Sequence, residues 1–259
     1  MTTRSITIGI STKMYLGYRE SKVWLGAVAA LATACGPVQT GQVKLFVAPT
    51  FPVLESTLEL TRGTPVQVAA QNASDQDSGA LTGEVSPVVL AEMGVELIEL
   101  GHAERRRQFG EGDELIAAKV AAAQRNGLQP LLCVGENARV APREAARACL
   151  EQVRAANINP HGMEPVIAYE PVWAIGAPQP ADPDYVCAVA DQLRQELGTE
   201  TTLLYGGSAG PGLLPRLHPH VDGLFLGRFA HDPRNIALIL EEAMLLVSRA
   251  SDVRPATAF

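Results

Sequence analysis

One ammonium, one imidazole and one carboxylate each stand where an apolar run of this chain ends. Together they could move a proton between neighbouring carbons. The ammonium is Lys13, two residues after Ser11 in "GISTKM"; the imidazole is His102 in "LGHAERR", with Glu104 two residues on; the carboxylate is Glu170 in "AYEPVWAIG". A carboxylate can take a proton from a carbon beside a carbonyl. A neutral imidazole can polarise that carbonyl and pass protons between oxygens, and an ammonium stabilises the enediolate that forms. Two further runs end in Gly206-Gly207-Ser208 and Gly227-Arg228. Glycine turns that lead into short helices offer backbone N–H groups to a phosphate. Pro49 and Gly135-Glu136 leave two more runs. Chemistry of this kind needs no metal and no cofactor.

Taken singly, each residue has a plainer reading. A lysine after a strand is commonly solvated, and most carboxylates are surface groups. A histidine at a strand end often serves as a cap or a core residue. Gly206-Gly207 could be a tight turn, Arg105-Arg106-Arg107 a salt-bridged surface and Trp173 a packing residue. The functional reading rests on all of them arriving at one place, which is a matter for the elements that carry them.

Eight apolar runs of strand length recur: Ile6–Ile10, Val43–Ala48, Val66–Ala70, Glu96–Leu100, Pro130–Val134, Val166–Tyr169, Thr202–Tyr205 and Gly223–Leu226. They are continuous rather than alternating, as strands buried on both faces are. Helical stripes lie between them, for example Trp24, Leu25, Val28 and Leu31, or Leu115, Ile116, Val120 and Ala123. Asp182-Pro183 and Asp232-Pro233 each give a cap followed by proline at the first helical position. Strand then helix, repeated with no linker, predicts one α/β domain, a single-domain (β/α)8 barrel over residues 1–248. A doubly wound sheet is the alternative, but no Gly-rich dinucleotide turn follows the first strand. The tail, 249–259, is expected to be loose. In such a barrel the active site lies where strands end, so the residues above share one rim.

The chain has 259 residues, 47% of them hydrophobic, and a net charge of −7. That balance disfavours a general nucleic-acid binder while leaving room for a small anion held by a few local donors. No apolar run is long enough to span a bilayer, and the N-terminus lacks a signal-peptide core. The four cysteines, Cys35, Cys133, Cys149 and Cys187, form no CxxC pair, which suggests reduced thiols and a cytoplasmic protein.

The residues then resemble a family. "TKM" (12–14), "QN" (71–72) with "GALTGE" (79–84), "GHAERR" (101–106), "CVGE" (133–136), "AYEPVWAIG" (168–176) and "YGGS" (205–208) are similar, in order and spacing, to triosephosphate isomerase over nearly the whole chain. The resemblance implies that Glu170 is the general base, His102 a neutral electrophile and Lys13 the cation, with Glu104 in support. A carboxylate base beside a neutral histidine is the established arrangement of that very enzyme, so it comes with the resemblance and not from spacing. Gly176, Ser208 and Gly227 would present N–H groups to the phosphate, and Cys133 would pack nearby. Pro171-Val172-Trp173 would be the stiff hinge of a lid that runs through Ala174, Ile175, Gly176, Ala177 and Pro178 to Ala181. Tyr205 and Ser208 would hold it shut, excluding water from the intermediate. The family is typically a homodimer, and "NASDQDSG" (72–79) matches the loop that one subunit inserts beside the other's site.

Four departures cluster. Ser11 stands where the family has Asn, Ala103 where it has Ser, Ala177-Pro178-Gln179 where it has Thr-Gly-Lys, and Arg228 where it has a second glycine. Ser11 leaves room beside the substrate, and Arg228 could grip the phosphate. The proton-transfer chemistry is kept and the pocket redrawn. The pattern resembles the branch that isomerises erythrulose phosphates in tetritol breakdown. The reaction expected is therefore an aldose–ketose shift between erythrulose and erythrose phosphates, with the three-carbon reaction as the alternative. A sugar-phosphate sensor, or an aldolase with Lys13 or Lys44 as Schiff-base lysine, are the readings from other classes.

Overall fold

Runs rich in Val, Ile and Leu pack well as strands when neighbours cover both faces. In the computed structural model, which describes residues 4–159 and 161–252, they do so. The strands are β1 (Ile6–Ser11), β2 (Val43–Ala48), β3 (Val66–Ala70), β4 (Leu97–Leu100), β5 (Gln129–Val134), β6 (Val166–Tyr169), β7 (Thr202–Tyr205) and β8 (Gly223–Leu226). Each pairs in parallel with the next and β8 returns to β1, closing a barrel. The chain is thus a single-domain (β/α)8 barrel. The strand ends fall within one residue of expectation. The shift that matters is at β1, which takes in Ser11 through its pairing with Ala48.

The helices are α1 (Tyr18–Ala34), α2 (Gly36–Gln39), α3 (Leu54–Leu60), α4 (Pro87–Met93), α5 (Ala103–Phe109), α6 (Asp113–Arg125), α7 (Pro142–Ala155), α8 (Pro183–Leu197), α9 (Leu214–Leu217) and α10 (Pro233–Asp252). Local chemistry starts several of them. Asp182 accepts the N–H of Asp184 at the head of α8, and Ser86 accepts that of Val89 at the head of α4. The α8 stripe, Val186, Val189 and Leu193, is completely buried against the barrel. Burying one such side chain contributes about 1.5–3 kcal/mol, so three of them fix the helix on the sheet. α10 continues to Asp252, four residues into the segment expected to be loose. Nothing before Pro255 breaks a helix there; residues 253–259 lie outside the described residues.

Inside the barrel the inward residues of alternate strands stack. Phe46 and Phe225 lie with ring centroids 5.8 Å apart, among Leu97, Leu131 and Leu204. Gly9 makes room for this layer, since a Cβ there would fall 2.0 Å from the Phe46 ring. The alternation that puts Val166 and Ala168 into this interior brings Glu170 inward at the rim. Likewise Ser11 pairs with inward Ala48, and Glu99 with inward Leu131. Among the described residues, no helix is long and apolar enough to cross a membrane.

Candidate active site

The C-terminal rim brings Ser11, Lys13, His102, Glu170 and Gly227 around one cavity. Lys13 leaves β1 with φ of 49°, a left-handed conformation uncommon for a lysine. Gln71 secures that turn, its side-chain amide donating to the carbonyls of Lys13 (3.0 Å) and Ala48 (2.9 Å). The Lys13 ammonium then lies 2.6 Å from Glu104. Burial works against its charge, but the Glu104 hydrogen bond and the charges of Glu104, Glu170 and Glu99 hold it above the ordinary lysine value. It is a fixed cation.

His102 caps α5, and the cap sets its proton. Its Nδ1 accepts the N–H of Glu104 at 3.1 Å, so the proton of the neutral ring sits on Nε2. Burial, and then the charge of Lys13, push its pKa down to about 4. The ring is therefore neutral near pH 7 and points an N–H towards Glu170, 3.3 Å from Oε2, without hydrogen-bond alignment.

Glu170 is buried, and its carboxylate lies across Gly206. A Cβ at 206 would come 2.4 Å from the Glu170 Cγ and Oε1, so only glycine admits the side chain in this position. Burial, then the charge of Glu99, raise Glu170 to about 8, with Lys13 opposing. Once ionised, a carboxylate with a raised pKa is a stronger proton acceptor than a solvated one.

The segment after Glu170 is tied at both ends. Pro171 leads into a 3₁₀ turn, Val172–Ala174. Glu136 moors this end: its carbonyl accepts the Val172 N–H (3.0 Å), and its carboxylate accepts from Trp173 Nε1 (2.8 Å), Tyr169 (3.2 Å) and Tyr185 (3.0 Å). At the other end the Ala181 N–H donates to the Tyr205 hydroxyl at 3.2 Å. The Ser208 hydroxyl lies 3.1 and 2.7 Å from the carbonyls of Ala174 and Ala177. Ile175 and Gly176 line the cavity between these anchors, and Pro178 is exposed. Arg228 makes a contact that its position in the sequence does not suggest. Its guanidinium donates to the Gly176 carbonyl at 3.0 Å and so ties the segment after Glu170 to the β8 loop. It shares a cavity with Lys13, Gly176, Ser208 and Gly227. The backbone N–H groups of Gly176, Ser208 and Gly227 make no hydrogen bond among the described residues, which leaves them available to an anion.

Two buried carboxylates have roles that their place in the sequence does not reveal. In the sequence Glu136 reads only as a strand exit, and its use as a mooring depends on three aromatic partners far away in the chain. Glu99 reads as part of an apolar strand. It lies inward at the rim, accepts from Ser11 at 2.8 Å and is raised to about 7 by burial. A charged residue inside a strand covered on both faces was the available signal. Among the described residues, no cluster of His, Cys, Asp and Glu is arranged to hold a metal ion.

Barrel and rim define a (β/α)8 enzyme whose functional groups converge at the carboxyl ends of the strands. The family model for triosephosphate isomerase matches residues 6–243, and the chain belongs to that family. Its relatives include proteins named L-erythrulose-1-phosphate isomerase. That of Pectobacterium atrosepticum is 46% identical over 96% of this chain and 100% of its own length. That of Rhizobium meliloti is 39% identical (90% and 94%), and that of Brucella abortus is 40% identical (86% and 90%).

Proposed function

We propose that this protein isomerises a four-carbon ketose phosphate by proton transfer through an enediolate. The observation that carries the reading is the meeting of Glu170, His102 and Lys13 at one cavity, in a chain 46% identical to an L-erythrulose-1-phosphate isomerase. Glu170 takes the proton from the carbon beside the carbonyl. The Nε2–H of His102 polarises the carbonyl oxygen and passes its proton to it while the ring takes the proton of the neighbouring hydroxyl, Lys13 balances the charge of the enediolate, and Glu170 returns the carbon-bound proton to the neighbouring carbon. The phosphate rests on the N–H groups of Gly176, Ser208 and Gly227, with Arg228 across the lid. An aldolase reading fits poorly. A Schiff-base lysine needs a lowered pKa, whereas that of Lys13 is raised.

The position of the phosphate narrows the reaction. In dihydroxyacetone phosphate the phosphate-bearing carbon is bonded to the carbonyl carbon, and the mobile hydrogen sits on the next carbon. Erythrulose 1-phosphate has the same order, with a hydroxymethyl group replacing one hydrogen on that third carbon. A fixed distance from phosphate cradle to base therefore serves both. In the four-carbon case the carbonyl moves from the second to the third carbon and the product is another ketose, erythrulose 4-phosphate. The aldose–ketose shift expected from the sequence would place the chemistry one carbon further from the phosphate. The test compares kcat/KM for L-erythrulose 1-phosphate and dihydroxyacetone phosphate, with deuterium uptake followed by NMR. At least a tenfold preference for the four-carbon substrate is expected. A preference for the triose would overturn the substrate, and no deuterium uptake from either would overturn the reaction in favour of a sensor.

We infer further that the protein works as a homodimer. Met14, the neighbour of Lys13, is 90% exposed, and Leu81 beyond the 72–79 loop is 38% exposed. Met14 stands beside the rim, and a nearly fully exposed apolar side chain there is what a partner subunit's loop would cover. Met14→Arg should give a monomer in sedimentation, with kcat/KM lowered about 10- to 100-fold because the rim loses its support. A monomeric parent protein, or a fully active monomeric variant, would contradict this.

A further inference from the structure

Ser11 and Glu99 form a pair that the proton transfer described above does not use. Ser11 is the last inward residue of β1 and Glu99 that of β4. They meet across the barrel, Ser11 Oγ donating to Glu99 Oε2 at 2.8 Å. They are 3% and 4% exposed, and among the described residues this is the one hydrogen bond made to the Glu99 side chain. A buried carboxylate with so few partners is costly, and an isoleucine would fill the same layer without that penalty. Stability does not account for it.

The consequence falls on Ser11. A serine hydroxyl has one proton to give and two lone pairs. With Glu99 ionised its proton is committed to that carboxylate, so what Ser11 presents to the cavity it shares with Lys13, His102 and Glu170 is an acceptor. The asparagine of the wider family would be larger and could offer an amide N–H. Ser11 therefore supplies space and an oxygen that seeks a donor. A hydroxymethyl group on the third carbon of the substrate matches both: its carbon occupies the space and its O–H donates to the oxygen. Dihydroxyacetone phosphate has only a hydrogen there.

We propose that Ser11, oriented by Glu99, is the subsite for the terminal hydroxymethyl group of the four-carbon substrate. Glu99 acts on the substrate through the serine and is a positioning residue. The inference rests on the four-carbon reading given above.

The test compares the purified protein with Ser11→Ala, Glu99→Ile and Glu99→Gln on L-erythrulose 1-phosphate and dihydroxyacetone phosphate. Ser11→Ala should lower the four-carbon to three-carbon ratio of kcat/KM by about 10- to 100-fold, the range for losing one hydrogen-bonded group in a shaped pocket. Most of that change should appear in KM for the four-carbon substrate. Glu99→Ile frees the serine hydroxyl and should lower the ratio by about threefold to tenfold. Glu99→Gln should restore it, because the amide carbonyl can still accept the serine proton. Both Glu99 variants remove the same charge near Glu170, so a difference between them reports orientation and not electrostatics. An unchanged ratio in Ser11→Ala overturns the subsite. Equal ratios in Glu99→Ile and Glu99→Gln overturn the positioning role. If the parent protein itself prefers the triose, the four-carbon reading fails and the subsite falls with it, a result separate from failure of the variants alone.

Discussion

Replacing Lys13 with methionine is expected to lower kcat/KM about 10³-fold or more. One preorganised donor at a developing oxyanion contributes about 10²- to 10³-fold, and Lys13 brings a full charge as well. That charge is held ready by the 2.6 Å contact with Glu104 and by the Gln71 amide that fixes the Lys13 carbonyl. Three carboxylates act on the ammonium: Glu104, Glu170 and Glu99. Without it their repulsion is uncompensated, so Glu170 would be raised further from its ordinary value and the dianionic phosphate would meet net negative charge. Both steps suffer, and the measurement should show a higher KM together with a lower kcat. Methionine keeps the length and apolar stem of the side chain, so the thermal midpoint should change little beside the loss of activity. A loss below tenfold, in a variant that melts like the parent, would show that the enediolate charge is balanced elsewhere.

The sequence was most legible where one physical constraint dominates. A strand covered on both faces must be apolar throughout, so the eight runs stood out, and the residue leaving each one was a candidate for the rim. That logic located Lys13, His102 and Glu170 without any knowledge of which strands are neighbours, because every strand of a parallel barrel ends on the same side. It failed for residues whose role depends on who faces whom. Glu99 sits within "LIEL", and only closure of the barrel shows that it looks across to Ser11. Glu136 binds Trp173, Tyr169 and Tyr185 through three separate contacts, none of them readable from spacing. Arg228 shows the same limit from another side. Its place just after β8 is legible in the sequence, but its reach lets it bond the Gly176 carbonyl. A long side chain fixes its location less than its Cα does.

Glu170→Asp should lower kcat about 10²- to 10³-fold and leave KM within about threefold, the pattern for a group that acts only in the transition state. The shorter side chain retracts the carboxylate by one C–C bond, about 1.5 Å. The backbone cannot follow. The Glu170 N–H is held by the Val134 carbonyl at 2.8 Å. On the other side its carbonyl is so close to Gly135 that a Cβ there would lie 1.9 Å away. Binding depends on the phosphate cradle and Lys13, which the substitution leaves untouched, so the deficit should fall on proton transfer. A substrate deuterated at the third carbon provides the check: its isotope effect on kcat should be larger in the variant than in the parent, because transfer has become the slow step. Equal proportional losses in kcat and KM, with no rise in the isotope effect, would show that Glu170 holds the substrate and that another group takes the proton.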